Sequence, residues 1–148
     1  MISKINFLCN PKRTTRNLIE ILKVIDDLFS ENNYCTFVIN TTSSVFGFER
    51  LNTKNVFKYD SDNNITIYTN RNDVQIDIIQ SADINEISIL KYTHRGYKLK
   101  RIIIQLDYVH YNIYLCNSEN FTPFYFKAVP YEQNMRGLEC EMYYKRFI

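Results

Sequence analysis

The sequence predicts an α+β fold, in which one N-terminal amphipathic helix packs on a curved, mainly antiparallel β-sheet of about seven or eight strands. Two observations predict it. Residues 15–30 carry the one clear helical periodicity, and from residue 34 onward the apolar residues recur with a period of two. The chain of 148 residues suits a single domain, 1–148, that can bury a core of its own.

The helix is predicted from about Thr15 to Ser30. Its apolar residues recur at steps of three and four and form a wide stripe, which consists of Leu18, Ile21, Leu22, Ile25, Leu28 and Phe29. Charged residues such as Glu20 and Lys23 lie on the other side. A stripe of this width requires a sheet face to cover it.

Strands are predicted wherever apolar residues alternate between turn-forming residues. They are Tyr34–Asn40, Val45–Leu51, Val56–Tyr59, Ile65–Thr69, Val74–Gln80, the hairpin within Ile87–Cys116, Phe121–Val129 and Leu138–Phe147. Pro123 places its strand at a sheet edge or a bulge, because proline cannot donate to a ladder. The last segment also fits a helix, but Gly137 divides it, which favours a turn followed by a strand.

The hairpin within Ile87–Cys116 is predicted to form the middle of the sheet. Gly96 lies between its arms and can adopt the positive φ that a short hairpin loop requires. In the second arm the apolar residues change parity between Leu106 and Val109. This change predicts a β-bulge or a sharp bend at Asp107–Tyr108 that curls the sheet.

The composition limits the compartment and the partner. The net charge of +2 favours neither nucleic acid nor an acidic partner by bulk charge alone. The four cysteines have no CxxC spacing and are expected to be buried free thiols in a reducing compartment. No apolar run approaches the ~20 residues of a membrane span, and the N-terminal run is too short for a signal peptide. These features predict a cytoplasmic protein without membrane contact.

The residue usage also indicates an origin. Asn, Ile, Tyr and Lys are frequent and Ala is scarce, a bias that an AT-rich genome produces. A low-GC bacterium, its phages or plasmids, or a large AT-rich virus would fit.

Signals for metal binding and catalysis are weak. The segment Asp60–Asn64 begins like a calcium loop, but Ile65 occupies the position that requires glycine, so a hairpin turn is predicted. Asp107 and His110 could meet across the predicted bend as an acid–base pair, but the sequence places no nucleophile beside them. We therefore expect no enzymatic activity, no metal and no cofactor.

Charge is segregated along the chain. Residues 60–86 carry six acidic side chains and one basic side chain, whereas residues 91–101 carry five basic side chains and no acidic one. Hairpins of opposite sign can attract one another across a sheet, or they can present a bipolar surface to a charged partner.

The basic segment is the main candidate binding site, because cations can neutralise phosphates or carboxylates while tyrosine offers a stacking face. Its candidate residues are Lys91, His94, Arg95, Tyr97, Lys98, Lys100 and Arg101. A second basic cluster at the predicted start of the helix consists of Lys12, Arg13 and Arg16. Free helix amides there could hold an anion together with these side chains.

The leading hypothesis is a non-enzymatic protein-binding module, such as a small inhibitor, an immunity or anti-defence factor, or an accessory factor of a low-GC microbe, phage or plasmid. Tyrosine-rich surfaces and segregated charge support a protein partner. The first alternative is nucleic-acid binding through the basic aromatic hairpin. A further alternative is a small ligand in a cavity between helix and sheet. Homodimerisation through an exposed edge strand is also considered.

Overall fold

The structure, a computed structural model, describes residues 14–15, 17–47, 51–69, 72, 74–94, 96–118 and 139–146. In these residues one helix packs against a mostly antiparallel sheet, which confirms the predicted α+β class. The elements are β1 (Thr14–Thr15), α1 (Leu18–Glu31), β2 (Tyr34–Thr41), β3 (Val45–Gly47), β4 (Leu51–Asn52), β5 (Phe57–Tyr59), β6 (Ile65–Tyr68), β7 (Gln75–Ile79), a 3₁₀ turn (Ser81–Asp83), β8 (Glu86–His94), β9 (Tyr97–Gln105), β10 (Val109–Cys116) and β11 (Glu139–Lys145).

Most predicted strands are confirmed in place, including β11, for which a helix was the alternative. The predicted strand Val45–Leu51 appears as the two short strands β3 and β4. The predicted strand Phe121–Val129 lies outside the described residues.

The helix begins at Leu18, the first residue of its apolar stripe and three residues after the predicted start at Thr15. Asn17 is the N-cap, and its side-chain oxygen accepts a hydrogen bond of 3.0 Å from the backbone N–H of Glu20. Thr14 and Thr15, at the predicted helix start, instead form β1. The buried residues of α1 confirm the stripe, and they are Ile21, Leu22, Ile25, Leu28 and Phe29.

The strands of the described residues form two sheets. The main sheet has the order β1–β11–β8–β9–β10–β2–β3, and β4 also pairs with β2, at Tyr34 and Cys35. All its pairs are antiparallel except β1–β11. A second, three-stranded sheet has the order β5–β6–β7 and is called the small sheet below. The meander β8–β9–β10 is therefore the centre of the main sheet, as predicted for this region.

The second arm of the predicted hairpin is two strands, which corrects the expectation of a bulge. The first turn is as predicted, with His94 paired to Tyr97 and Gly96 at a φ of +85°. At Asp107–Tyr108, however, the chain reverses completely, and His110 of β10 pairs with Gln105 of β9. The apolar parity changes because two antiparallel strands meet at a turn.

One face of the main sheet forms the core together with α1 and the small sheet. Residues of all three layers belong to one buried cluster, which includes Ile21, Ile25, Ile67, Ile89, Ile102 and Ile113, each 0% exposed. The rings of Phe29 in α1 and Phe57 in β5 stack with centroids 5.2 Å apart. Burying each such side chain contributes about 1.5–3 kcal/mol. These side chains lie between the helix, the main sheet and the small sheet.

A buried hydrogen bond connects the two sheets. The hydroxyl of Tyr111 in β10, whose side chain is buried, donates to the carboxylate of Asp77 in β7. Burial, together with the hydrogen bond and the negative charge of Asp77, raises the pKa of Tyr111. The hydroxyl therefore stays protonated and acts as a donor.

Replacing Tyr111 with phenylalanine is expected to lower the free energy of unfolding by about 1–3 kcal/mol, because the half-buried Asp77 carboxylate loses its donor. Urea unfolding followed by circular dichroism measures this loss. Tyr108→Phe is the matched control, because Tyr108 is 63% exposed in the β9–β10 turn. Equal unfolding midpoints for the two variants would contradict the importance of the hydrogen bond.

Candidate functional site

The β8–β9 hairpin forms one wall of an open groove of about 570 Å³. The pairing of β9 with β10 ends at Lys100 and Leu115, so the hairpin extends beyond the end of β10. From the hairpin, Lys91, Tyr97, Lys98 and Lys100 line the groove, and Glu31 lines it from the end of α1. We call this site the lysine groove.

Strand alternation places the three lysines on one face of the hairpin. Lys91 of β8 pairs directly with Lys100 of β9, and Lys98 lies two residues before Lys100. Lys91 and Lys98 are exposed and Lys100 is half-buried. The same face carries core residues such as Ile89 and Ile102 farther along the hairpin. The lysine groove therefore lies on the same face of the main sheet as α1, next to the C-terminal end of that helix.

The groove contains charges of both signs. Lys91 and Lys100 are cross-strand neighbours, an arrangement that is unfavourable for two like charges. Glu31 is the last residue of α1 and adds a carboxylate to the groove. The helix dipole is also negative at this end of the helix. The groove is therefore a mixed-charge surface with an excess of lysine.

Arg101 does not belong to this surface, which corrects one predicted site residue. It follows Lys100 directly in β9, so it faces the opposite side of the sheet, and it is 1% exposed. Its Nε and Nη2 donate to Oδ1 of Asn112 at 3.2 and 2.8 Å, and its guanidinium lies 5.2 Å from the ring centroid of Tyr114. The period of two already requires that Lys100 and Arg101 point to opposite faces.

Four of the predicted binding residues line the groove, Lys91, Tyr97, Lys98 and Lys100. The three lysines share one face of the hairpin, whereas the Tyr97 side chain packs against Leu99 and Tyr114 on the other face. His94 ends β8 at the turn of the same hairpin. The other predicted residues, Arg95 and the cluster of Lys12, Arg13 and Arg16, lie outside the described residues. Glu31 is the residue that sequence reasoning missed, because nothing in the local pattern indicates that the end of α1 faces the hairpin.

The predicted acid–base pair is not formed. Asp107 is exposed, and its carboxylate accepts a hydrogen bond of 2.7 Å from the side chain of Asn85. His110 is 2% exposed in β10, and its Nδ1 has no hydrogen-bond partner among the described residues. Burial lowers the pKa of His110 and so favours the neutral ring.

The Asp60–Asn64 segment is the predicted hairpin turn. The Asp60 carboxylate accepts hydrogen bonds from the backbone N–H groups of Asn64 and Asp62 at 3.0 and 2.9 Å. These hydrogen bonds hold the pKa of Asp60 below its usual value, and the bond from the backbone N–H of Asn64 has the largest effect. The turn connects β5 to β6.

Two of the cysteines are buried free thiols, as predicted, and they are Cys35 and Cys116. Burial raises the pKa of Cys35 to about 12, so that residue stays a thiol at neutral pH. Within the described ranges, no cluster of three or more His, Cys, Asp or Glu side chains is arranged to hold a metal ion. In the same part of the chain, no helix has the length and apolar character needed to cross a membrane.

Comparison of the chain with protein-family models, with curated proteins and with solved structures found no match. The functional interpretation therefore depends on the lysine groove and on the side chains that line it.

Proposed function

We propose that this protein is a non-enzymatic protein-binding module and that the lysine groove is its contact surface. One observation carries the proposal: Lys91, Lys98 and Lys100 share one face of the hairpin and line a groove with the Glu31 carboxylate. The half-buried Tyr97 lies in the same hairpin, and its side chain is on the other face. Tyrosine is enriched at protein interfaces because it buries apolar area and still makes hydrogen bonds. Charges at the rim of such a contact select the partner through electrostatic complementarity.

A module of this kind would act by occupying a surface of another protein. Basic residues are concentrated in the hairpin segment 91–101, which supports a partner with an acidic patch. The lysines of the hairpin would attract such a patch electrostatically. An inhibitor, an immunity or anti-defence factor, or an accessory factor of a low-GC microbe, phage or plasmid would fit this role. Each of these needs a scaffold that holds the contact surface in one shape.

The proposal is tested by reversing one charge in the groove. Lys98→Glu is expected to abolish capture of the partner protein from a nuclease-treated lysate of the source cells, because it places a carboxylate among the remaining lysines. Its melting temperature should stay close to that of the parent protein, since Lys98 is exposed. Lys98 is a better choice than Tyr97, which also packs against the buried cluster of Leu99 and Tyr114.

Lys23→Glu is the matched control, because it makes the same charge change on the exposed side of α1. This variant should capture the partner as the parent protein does. Capture of the same stoichiometric partner by Lys98→Glu would contradict the proposal. It would also be contradicted if the parent protein captured proteins only from lysate that had not been treated with nuclease.

Nucleic-acid binding is the second candidate, because three lysines share one groove and Tyr97 lies in the same hairpin. Contact with three phosphates of a single strand would give a slope of about −2 for log affinity against log salt concentration. The Glu31 carboxylate in the groove disfavours a polyanion. Affinity for an oligonucleotide that is flat between low and moderate salt would exclude this candidate.

A further inference from the structure

We infer that the lysine groove recognises an extended protein segment that carries carboxylates at alternate positions. This inference rests on the proposed function and names the chemistry of the partner. The sequence pattern of such a segment is an acidic residue, any residue, and a second acidic residue.

The spacing of the lysines carries the inference. Lys98 and Lys100 are separated by one residue of β9, so their Cα atoms lie about 6.6 Å apart along the strand. An extended segment that lies beside the hairpin repeats its side chains on one face at this same distance. Carboxylates at positions i and i+2 of that segment can therefore meet Lys98 and Lys100 together.

The third lysine strengthens one end of this arrangement. Lys91 pairs directly with Lys100, and paired side chains of neighbouring strands lie about 5 Å apart. Two ammonium groups thus stand close to the position that the second carboxylate would occupy.

The opposite wall distinguishes an acidic peptide from a nucleic acid. Glu31 lines the groove from the end of α1. A nucleic-acid strand carries a negative charge at every nucleotide, so a strand that fills the groove brings phosphates close to Glu31. In an alternating peptide the carboxylates lie on one face only, and uncharged residues can face Glu31.

The experiment measures the affinity of the full-length protein for labelled peptides by fluorescence anisotropy. Two peptides of equal length carry the same number of glutamates, spaced two residues apart in the first and three residues apart in the second, with threonine at all remaining positions. In an extended chain, only the first places neighbouring glutamates on one face. We expect the first peptide to bind about threefold to tenfold more tightly, because it makes one more lysine contact.

Variants assign this preference to the groove. Lys98→Ala should remove the difference between the two peptides, whereas Lys23→Ala should keep it. Glu31→Gln should increase the affinity for the alternating peptide about twofold, because it removes a like charge from the groove. A gain of affinity cannot be produced by a variant that merely fails to fold.

Equal affinities for the two peptides, or no binding of either at low salt, would overturn the inference. Tighter binding of a single-stranded oligonucleotide of equal charge would overturn it in favour of nucleic acid. If the peptides fail while Lys98→Glu still loses its native partner, only the spacing rule is wrong. If Lys98→Glu retains that partner, the proposed function is wrong as well.

Discussion

Replacing Asn112 with leucine is expected to lower the free energy of unfolding by about 2–3 kcal/mol. The Asn112 side chain is 1% exposed and accepts two hydrogen bonds from Arg101, at 3.2 and 2.8 Å. Leucine has the same branching and the same number of side-chain heavy atoms but offers no acceptor, so the buried guanidinium loses both bonds where water cannot replace them. Hydrogen bonds to buried charged groups are among the strongest individual contributions to stability.

Thr36→Val is the matched control on the same buried sheet face. The Thr36 hydroxyl is buried and has no hydrogen-bond partner among the described residues. Valine keeps the shape and removes the cost of burying the hydroxyl, so this variant should be more stable by about 1 kcal/mol. Urea unfolding measures both changes. A loss below about 0.5 kcal/mol for Asn112→Leu would show that other contacts hold Arg101 in place.

The stability of the protein is expected to fall as the pH falls below 6.5, because His110 is buried. Its pKa in the folded protein is lowered from the usual value of 6.5, whereas the unfolded chain binds a proton at about that value. The unfolded state therefore binds more protons below pH 6.5. The free energy of unfolding should decrease by up to about 1.4 kcal/mol per pH unit until the folded-state pKa is reached.

Urea unfolding at several pH values measures this slope. His110→Phe keeps a ring in the buried site and removes the titratable group, so the slope just below pH 6.5 should disappear. His94→Gln removes the other histidine of the chain and should retain the slope. A slope that survives in His110→Phe would show that another group titrates. Asp60 acts in a lower range, because its pKa lies below 3.8.

The sequence predicted the fold class where periodicity and burial agree. The apolar stripe of α1 specifies one buried side of the helix, and β2 is buried on both faces along residues 35–39. Both elements lie close to where the sequence predicts them. The change of parity near Asp107 was detected, but its meaning was not. A bulge and a complete reversal change the parity in the same way, so only the pairing of β9 with β10 decides between them.

Periodicity also does not tell whether a sheet face is covered. His110 and Asn112 are polar residues that alternation places on one face of β10, and both are buried. Alternation determines which residues point together, whereas burial depends on every layer of the molecule. For the same reason the lysine groove was found only in part. Its hairpin residues are close in sequence, while Glu31 precedes the nearest of them by 60 residues.

The pairing of distant strands has a consequence for how the chain folds. The central meander β8–β9–β10 is local, but it is flanked by β2 on one side and by β11 and β1 on the other. Closing such long loops slows folding, and during synthesis the N-terminal segments leave the ribosome first. The apolar stripe of α1 stays uncovered until the main sheet has formed. Strand β11 can join that sheet only after Lys145 has left the ribosome. Nascent chains would therefore expose an aggregation-prone helix, and chaperones that shield it should increase the yield of folded protein.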